Sequence, residues 1–143
     1  LSGEKHLKFV KRIKSKVKDF REELGLTQQE LADKVGVSRQ TIYYLEKGDY
    51  NPSLTLSFKL TEIFEKLLEE IFYQVPFIED LLGSKTLDEI EKISERTGIN
   101  TEKIIKLKHI DEENLSEIFT EIELHNLSNA LGVKFENLFI KEN

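Results

Sequence analysis

No cysteine occurs in the chain, which excludes a disulfide framework and any cysteine-ligated zinc, and fits a reducing cytoplasm. Methionine is missing too, the initiator included, which points to a processed or trimmed chain. No apolar run exceeds a few residues, so no membrane span is expected, and Leu1 to Lys18 is basic without the apolar segment of a signal peptide. Prolines number only two and glycines seven among 143 residues, so little interrupts regular structure. With 38% hydrophobic and 34% charged residues the composition is that of a folded globular protein.

Charge of one sign is scarce locally and not globally. The net charge is −6, yet residues 1–75 carry 13 Lys and Arg against 12 Asp and Glu, while residues 76–143 carry 8 against 15. The first half is therefore +1 and the second −7. Lys5, Lys8, Lys11, Arg12, Lys14, Lys16 and Lys18 face only Glu4 before Asp19. That segment permits contact with phosphate without requiring it.

Apolar residues recur at helical and not alternating spacing, which predicts an all-α protein. Ile13, Val17, Phe20 and Leu24 form one stripe that ends at Gly25. Thr27-Gln28-Gln29-Glu30 has the form of a capping box opening a second helix, with Leu31, Ala32 and Val35 as its inner face. Gly36 stops it, Val37 plugs the corner, and Ser38 caps a third helix that turns Ile42 and Leu45 inward and ends at Gly48. Asp49 to Pro52 form a loop, Ser53 caps a fourth helix, and the apolar pattern runs on through Leu56, Leu60, Ile63, Phe64, Leu67, Leu68, Ile71 and Phe72.

After Pro76 and Gly83-Ser84 the pattern restarts with a second box, Thr86-Leu87-Asp88-Glu89. Laying Gly98 on Gly36 matches Ile93 to Leu31, Ile99 to Val37, Asn100 to Ser38, Ile104 to Ile42 and Leu107 to Leu45. Leu127 to Phe139 likewise parallels Leu60 to Phe72, with about five residues inserted around Asp111 to Glu117. These features predict a degenerate tandem repeat. The expected domains are 1–75, a helix-turn-helix unit with its basic N-terminal segment, a linker at 76–85, and an acidic helical domain at 86–143.

A helix-turn-helix needs a short second element, a tight corner, and a third element whose first turn can enter a groove of DNA. Residues 27–47 supply all three. The outward side chains of the third helix, Ser38, Arg39, Gln40, Tyr43, Tyr44 and Lys47, are hydrogen-bonding and stacking groups suited to base edges, where a generic surface helix would carry more Glu. Tyr43 and Tyr44 are expected at the surface and not in the core, because Ile42 and Leu45 already occupy the other face.

Residues 25–32, 35–42, 45–48 and 51–53 (GLTQQELA, VGVSRQTI, LEKG, NPS) resemble the Cro and lambda-repressor family of helix-turn-helix regulators, also called the xenobiotic-response-element family. The resemblance spans residues 12–73. It implies a five-helix lambda-repressor-like domain, here followed by a second small helical domain of similar topology. It also implies that Gln28 anchors the second helix to a phosphate and a base edge, that Arg39, Gln40 and Tyr44 face bases, and that Ser38 and Tyr43 lie at the groove edge. The Asn51 loop would meet the backbone, and Arg21 and Glu46 would form an internal structural ion pair. The expected DNA-contacting set is Thr27, Gln28, Ser38, Arg39, Gln40, Thr41, Tyr43, Tyr44, Lys47 and Asn51.

The sequence departs from the family at Glu65-Lys66, where a Gly-Val break is usual, so the fourth and fifth helices are expected to merge. The second copy keeps that break as Gly132-Val133 but places Thr101, Glu102, Lys103 and Lys106 at the reading positions. Its charge repels a polyanion, and pairing with itself or with a protein partner suits it better.

Enzyme chemistry finds no support. His6, His109 and His125 lie far apart, no HExxH or Gly-rich phosphate loop occurs, and Asp111-Glu112-Glu113 lacks the pattern of a calcium loop. No metal or cofactor is expected. Two functions stay open: a homodimeric transcriptional regulator, repressor by preference, on double-stranded DNA, or an antitoxin or adaptor that grips a protein through residues 86–143.

Overall fold

The computed structural model describes residues 6–142. Its elements run β1 (His6–Phe9), β2 (Lys11–Ser15), α1 (Val17–Glu23), α2 (Gln28–Val35), α3 (Arg39–Lys47), α4 (Leu54–Phe64), α5 (Leu68–Ile71) and β3 (Phe72–Pro76). They continue with α6 (Phe77–Gly83), α7 (Leu87–Thr97), α8 (Thr101–Lys106), a 3-10 turn at Glu112–Asn114, α9 (Leu115–Ile118), α10 (Glu121–Leu131), a second 3-10 turn at Phe135–Asn137 and β4 (Phe139–Glu142). Helices dominate, as the spacing of apolar residues predicts, but the structure is not wholly helical. Among the described residues two short two-stranded sheets pair β1 with β4 and β2 with β3. Strands of four or five residues give too little alternation to stand out in sequence, and here their pairing joins segments far apart in the chain.

Arg12–Val75 forms one compact unit, and the residues on either side of it form the other. The inner unit thus interrupts the outer one. His6–Phe9, expected with the first domain, belongs to the second: it pairs antiparallel with β4, Leu7 opposite Lys141 and Phe9 opposite Phe139, and buries Leu7 and Phe9 in the outer core. Residues 76–85, expected as a linker, are largely helix α6, whose Ile78 and Leu82 are fully buried in the same core. Phe77 N–H donates to the Val10 carbonyl, so α6 restarts beside the end of β1.

The inner core collects Val17, Leu31, Ala32, Val35, Ile42, Leu45, Leu56, Leu60, Phe64 and Ile71. Two expectations shift at its edge. Ile13 lies in β2 and not on the first helix, and Leu24, Leu67 and Leu68 are exposed. The fourth and fifth helices do not merge, because Glu65 takes the left-handed conformation, φ 53°, that closes α4. In the outer unit Gly132 closes α10 in the same way, at φ 73°.

The two units share one order of elements. In each, a strand leads to a seven-residue helix, then a box-capped helix ending at a left-handed glycine, Gly36 or Gly98. A third helix follows, capped by Ser38 or Asn100, then an eleven-residue helix capped by Ser53 or Thr120, and finally a strand that pairs with the first. Even one closing bond recurs: Lys16 N–H to the Ile71 carbonyl, 2.8 Å, and Val10 N–H to the Leu138 carbonyl, 2.9 Å. The repeat is therefore nested, where the sequence alone suggested tandem. The inserted residues of the outer copy build the first 3-10 turn and α9, and they serve the strand edge. Ser116 Oγ and Glu112 Oε2 accept the N–H groups of Leu7 and Phe9, the two that β4 does not take. An edge so capped offers no template for further pairing.

Candidate nucleic-acid interface

The corner between α2 and α3 is set by local chemistry. Thr27 Oγ1 accepts the Glu30 N–H at 3.0 Å and Glu30 Oε1 accepts the Thr27 N–H at 3.0 Å, which satisfies two donors of the first turn. The Thr27 N–H first, and the Thr27 hydroxyl after it, stabilise the carboxylate and hold Glu30 below its ordinary pKa. Gly36 ends α2 at φ 75°, a conformation that costs a side-chain-bearing residue about 1 kcal/mol or more. Lys59 Nζ, from α4, reaches the Val35 carbonyl at 3.4 Å and caps the same end. Ser38 Oγ then accepts the Thr41 N–H at 3.1 Å and opens α3.

Ile42 and Leu45 anchor the inner face of α3, each burying a side chain worth about 1.5–3 kcal/mol. Its outer face carries Arg39, Gln40, Tyr43 and Tyr44 around one shallow concavity. Tyr43 and Tyr44 are 45% and 39% exposed, which places them at the surface and not in the core. Their rings meet edge to face, centroids 5.3 Å apart, and Lys47 Nζ lies 6.0 Å from the Tyr43 ring and 3.6 Å from Asp49 Oδ2. Arginine, glutamine and tyrosine on one exposed face supply donors, acceptors and stacking surfaces together.

The other expected residues divide by what already occupies them. The hydroxyl oxygens of Thr27 and Ser38 are spent on capping. Ser38 Oγ and Thr41 Oγ1 also share a hydrogen bond of 2.9 Å, which uses one of their two hydroxyl protons and leaves the other to donate outward. Asn51 is exposed in the loop between α3 and α4, apart from the concavity's lining. Arg21 and Glu46 meet as the resemblance implies: Nε to Oε2 at 2.6 Å and Nη2 to Oε1 at 3.1 Å, with side chains only 11% and 5% exposed. The carboxylate holds the guanidinium protonated, its pKa raised further.

Sequence reasoning did not foresee where that pair leads. Gln28 Nε2 donates to Glu46 Oε1 at 3.1 Å, and Gln28 Oε1 accepts from Arg39 Nη1 at 3.3 Å. Four side chains from three helices thus form one chain of bonds that ends on the exposed face of α3. No linear spacing announces it, since its bonded members are 11 to 25 positions apart.

The basic N-terminal segment is less available than its composition suggests. Lys8 pairs with Glu142 at 3.0 Å and Lys11 with Glu112 at 3.5 Å, all within the outer unit, while Lys5 lies outside the described residues. In the outer unit the element equivalent to α3 is α8, six residues against nine. Its Lys103 is bound to Glu123 at 3.0 Å and lies over the Phe119 ring at 4.9 Å. Among the described residues no group of three or more His, Asp or Glu side chains is placed to hold a metal ion, and no helix is long and apolar enough to cross a membrane.

Comparison with known proteins agrees with this geometry. The helix-turn-helix family model matches residues 17–71, which is the inner unit from α1 to the end of α5. An HTH-type transcriptional regulator of Archaeoglobus fulgidus is 48% identical over 60 residues, 42% of this chain and 86% of that protein. The chain belongs to the helix-turn-helix family of transcriptional regulators. It is thus a DNA-binding regulator of the Cro and lambda-repressor type. The cryptic phage CTXphi transcriptional repressor RstR of Vibrio cholerae is 34% identical over 110 residues, 76% of this chain and 83% of the repressor. A putative HTH-type transcriptional regulatory protein of Sulfurisphaera tokodaii is 29% identical over 131 residues, 86% of this chain and 45% of that protein. Similarity to these helix-turn-helix regulators therefore extends beyond the inner unit into the outer one.

Proposed function

We propose that this regulator represses transcription by reading a defined duplex sequence in the major groove with the first turn of α3, as a homodimer on a pseudo-palindrome in the cytoplasmic nucleoid. The observation that carries the reading is the outer face of α3, where Arg39, Gln40, Tyr43 and Tyr44 gather while Ile42 and Leu45 lock the helix from behind. Arg39 suits guanine O6 and N7 and Gln40 suits adenine N6 and N7, each worth about 1–3 kcal/mol of discrimination. Gln28, Ser38, Thr41, Lys47 and the Asn51 loop provide flanking contacts to phosphate, and Thr27 presents the first turn of α2 to the backbone. The half-sites lie about 34 Å apart, one turn of the duplex, so that two copies of α3 meet the same face. Repression is favoured by the kinship with a phage repressor.

The test is a salt titration on sites selected from random duplexes. The parent binds its selected site with a steep dependence on salt. Arg39→Ala with Gln40→Ala abolishes the preference for that site, a loss of about tenfold or more for each contact, while the circular dichroism spectrum is kept. A double variant that binds the selected site as well as the parent does would place the reading surface elsewhere.

A second reading rests on the outer unit. With its third helix shortened, Lys103 bound by Glu123 and a charge of −7 over residues 76–143, that unit suits a protein partner or a second copy of itself. The regulator would then be an antitoxin or adaptor, with DNA binding as its secondary act.

A further inference from the structure

The buried ion pair does not stop at holding α1 against α3. Glu46 is 5% exposed, and its carboxylate accepts three bonds: Arg21 Nε at 2.6 Å, Arg21 Nη2 at 3.1 Å and Gln28 Nε2 at 3.1 Å. Arg21 is itself fixed by a further bond from Nη1 to the Leu26 carbonyl, 2.7 Å, in the turn that leads to α2. A carboxylate can only accept and a guanidinium can only donate. The side-chain amide of Gln28 lies between the two kinds, so its orientation is decided at both ends. The amino group faces Glu46 and the carbonyl faces Arg39, whose Nη1 donates to it at 3.3 Å. The opposite orientation would set carbonyl against carboxylate and amino group against guanidinium.

We infer that Glu46 is a positioning residue for base recognition: acting through the fixed amide of Gln28, it holds the Arg39 guanidinium ready to bind a guanine. Arg39 is exposed and otherwise carries the rotamer entropy of a long, free side chain. Tethering one Nη1 proton to Gln28 leaves Nε and Nη2 for a bidentate contact with guanine O6 and N7, and the side chain reaches the groove already oriented. A pair that the sequence presents as structural therefore sets specificity.

The inference rests on the reading of α3 proposed above, and the experiment separates the two. Relative affinities of the full chain are measured for every single-base variant of the selected site, with a random duplex as reference. Glu46→Gln keeps an acceptor for Arg21 but can turn an amino group toward Gln28 and reverse that amide. The expected result is a fall of about tenfold in the preference for guanine at one position of each half-site, other positions and the random duplex unchanged. In an Arg39→Ala background, where that preference is already gone, Glu46→Gln alters no base preference. If Glu46→Gln weakens all duplexes alike, or acts by the same factor with and without Arg39, it only maintains the fold and the inference is overturned. Should that variant fail to fold, Gln28→Met, which leaves the Arg21–Glu46 pair intact, decides: relaxation at the base read by Arg39 supports the relay, and an unaltered preference sinks it. If Arg39→Ala itself relaxes no guanine position, the assigned reading surface is wrong and the relay falls with it.

Discussion

At the scale of single residues, Glu65 shows what a missing glycine costs. Its φ of 53° closes α4 at the place where Gly132 closes α10, so the chain turns there with a β-carbon that the outer copy avoids. A left-handed residue of this kind is strained by about 1–2 kcal/mol. Glu65→Gly is therefore expected to raise stability by about 0.5–1 kcal/mol net of the glycine's extra entropy in the unfolded chain, read as an upward shift of the urea midpoint at constant slope. No change or a decrease would mean that Glu65 makes a compensating interaction. The exposed cluster of Arg39, Gln40, Tyr43 and Tyr44 was legible in sequence because its chemistry is carried by their identities and their spacing along one helix. The link from Glu46 through Gln28 was not, because it depends on rotamers chosen where three helices meet.

At the scale of elements, the helix starts were the most legible part of the chain. Thr27 and Thr86 each accept an N–H three residues on and donate their own N–H to the glutamate carboxylate in return, and Thr120, which the sequence did not single out, does the same. In all three boxes the backbone N–H of the threonine is the largest cause that lowers the glutamate pKa, with Lys103 assisting at Glu123. A carboxylate depressed on folding contributes stability that is complete above its unfolded pKa, about 4.3, and is lost as pH falls through the lower folded value. Glu89→Gln keeps the hydrogen-bonding form of the box and removes the titration. Its melting temperature is expected to fall less steeply than the parent's between about pH 5 and pH 3, with differential scanning calorimetry as the measurement. Parallel curves would show that the Thr86 box does not carry acid sensitivity. The strands, by contrast, were illegible. His6–Phe9 and Phe139–Glu142 acquire their meaning from one another across the length of the chain, and neither has the length to declare itself alone.

At the scale of the whole molecule, one helical unit is inserted into another of the same element order. The inner unit has its own apolar core, which among the described residues shares no buried residue with the outer. It is also about as long as a complete relative, since 60 aligned residues make up 86% of the Archaeoglobus regulator. A fragment of residues 12–75 is therefore expected to fold with the helical content of the inner unit. If the outer unit is what joins two copies, the fragment sediments as a monomer and binds a single half-site with the parent's base preferences but without its two-site avidity. A fragment that still dimerises in sedimentation equilibrium would move the dimer contact to the inner unit.

By itself the sequence determined α2, α3 and the start of α4, their threonine and serine caps, the left-handed glycine at the corner and the chemistry displayed on α3. All of these are decided within one or two turns of chain, where propensity, capping and periodicity act. Only the tertiary structure decided that His6–Phe9 belongs with the C-terminal strand, that Phe77–Gly83 is a helix burying Ile78 and Leu82, that the repeat is nested, and that Glu46 reaches Arg39 through Gln28. Each of these is a contact between residues distant in sequence, and its free energy exists only once the intervening chain has folded.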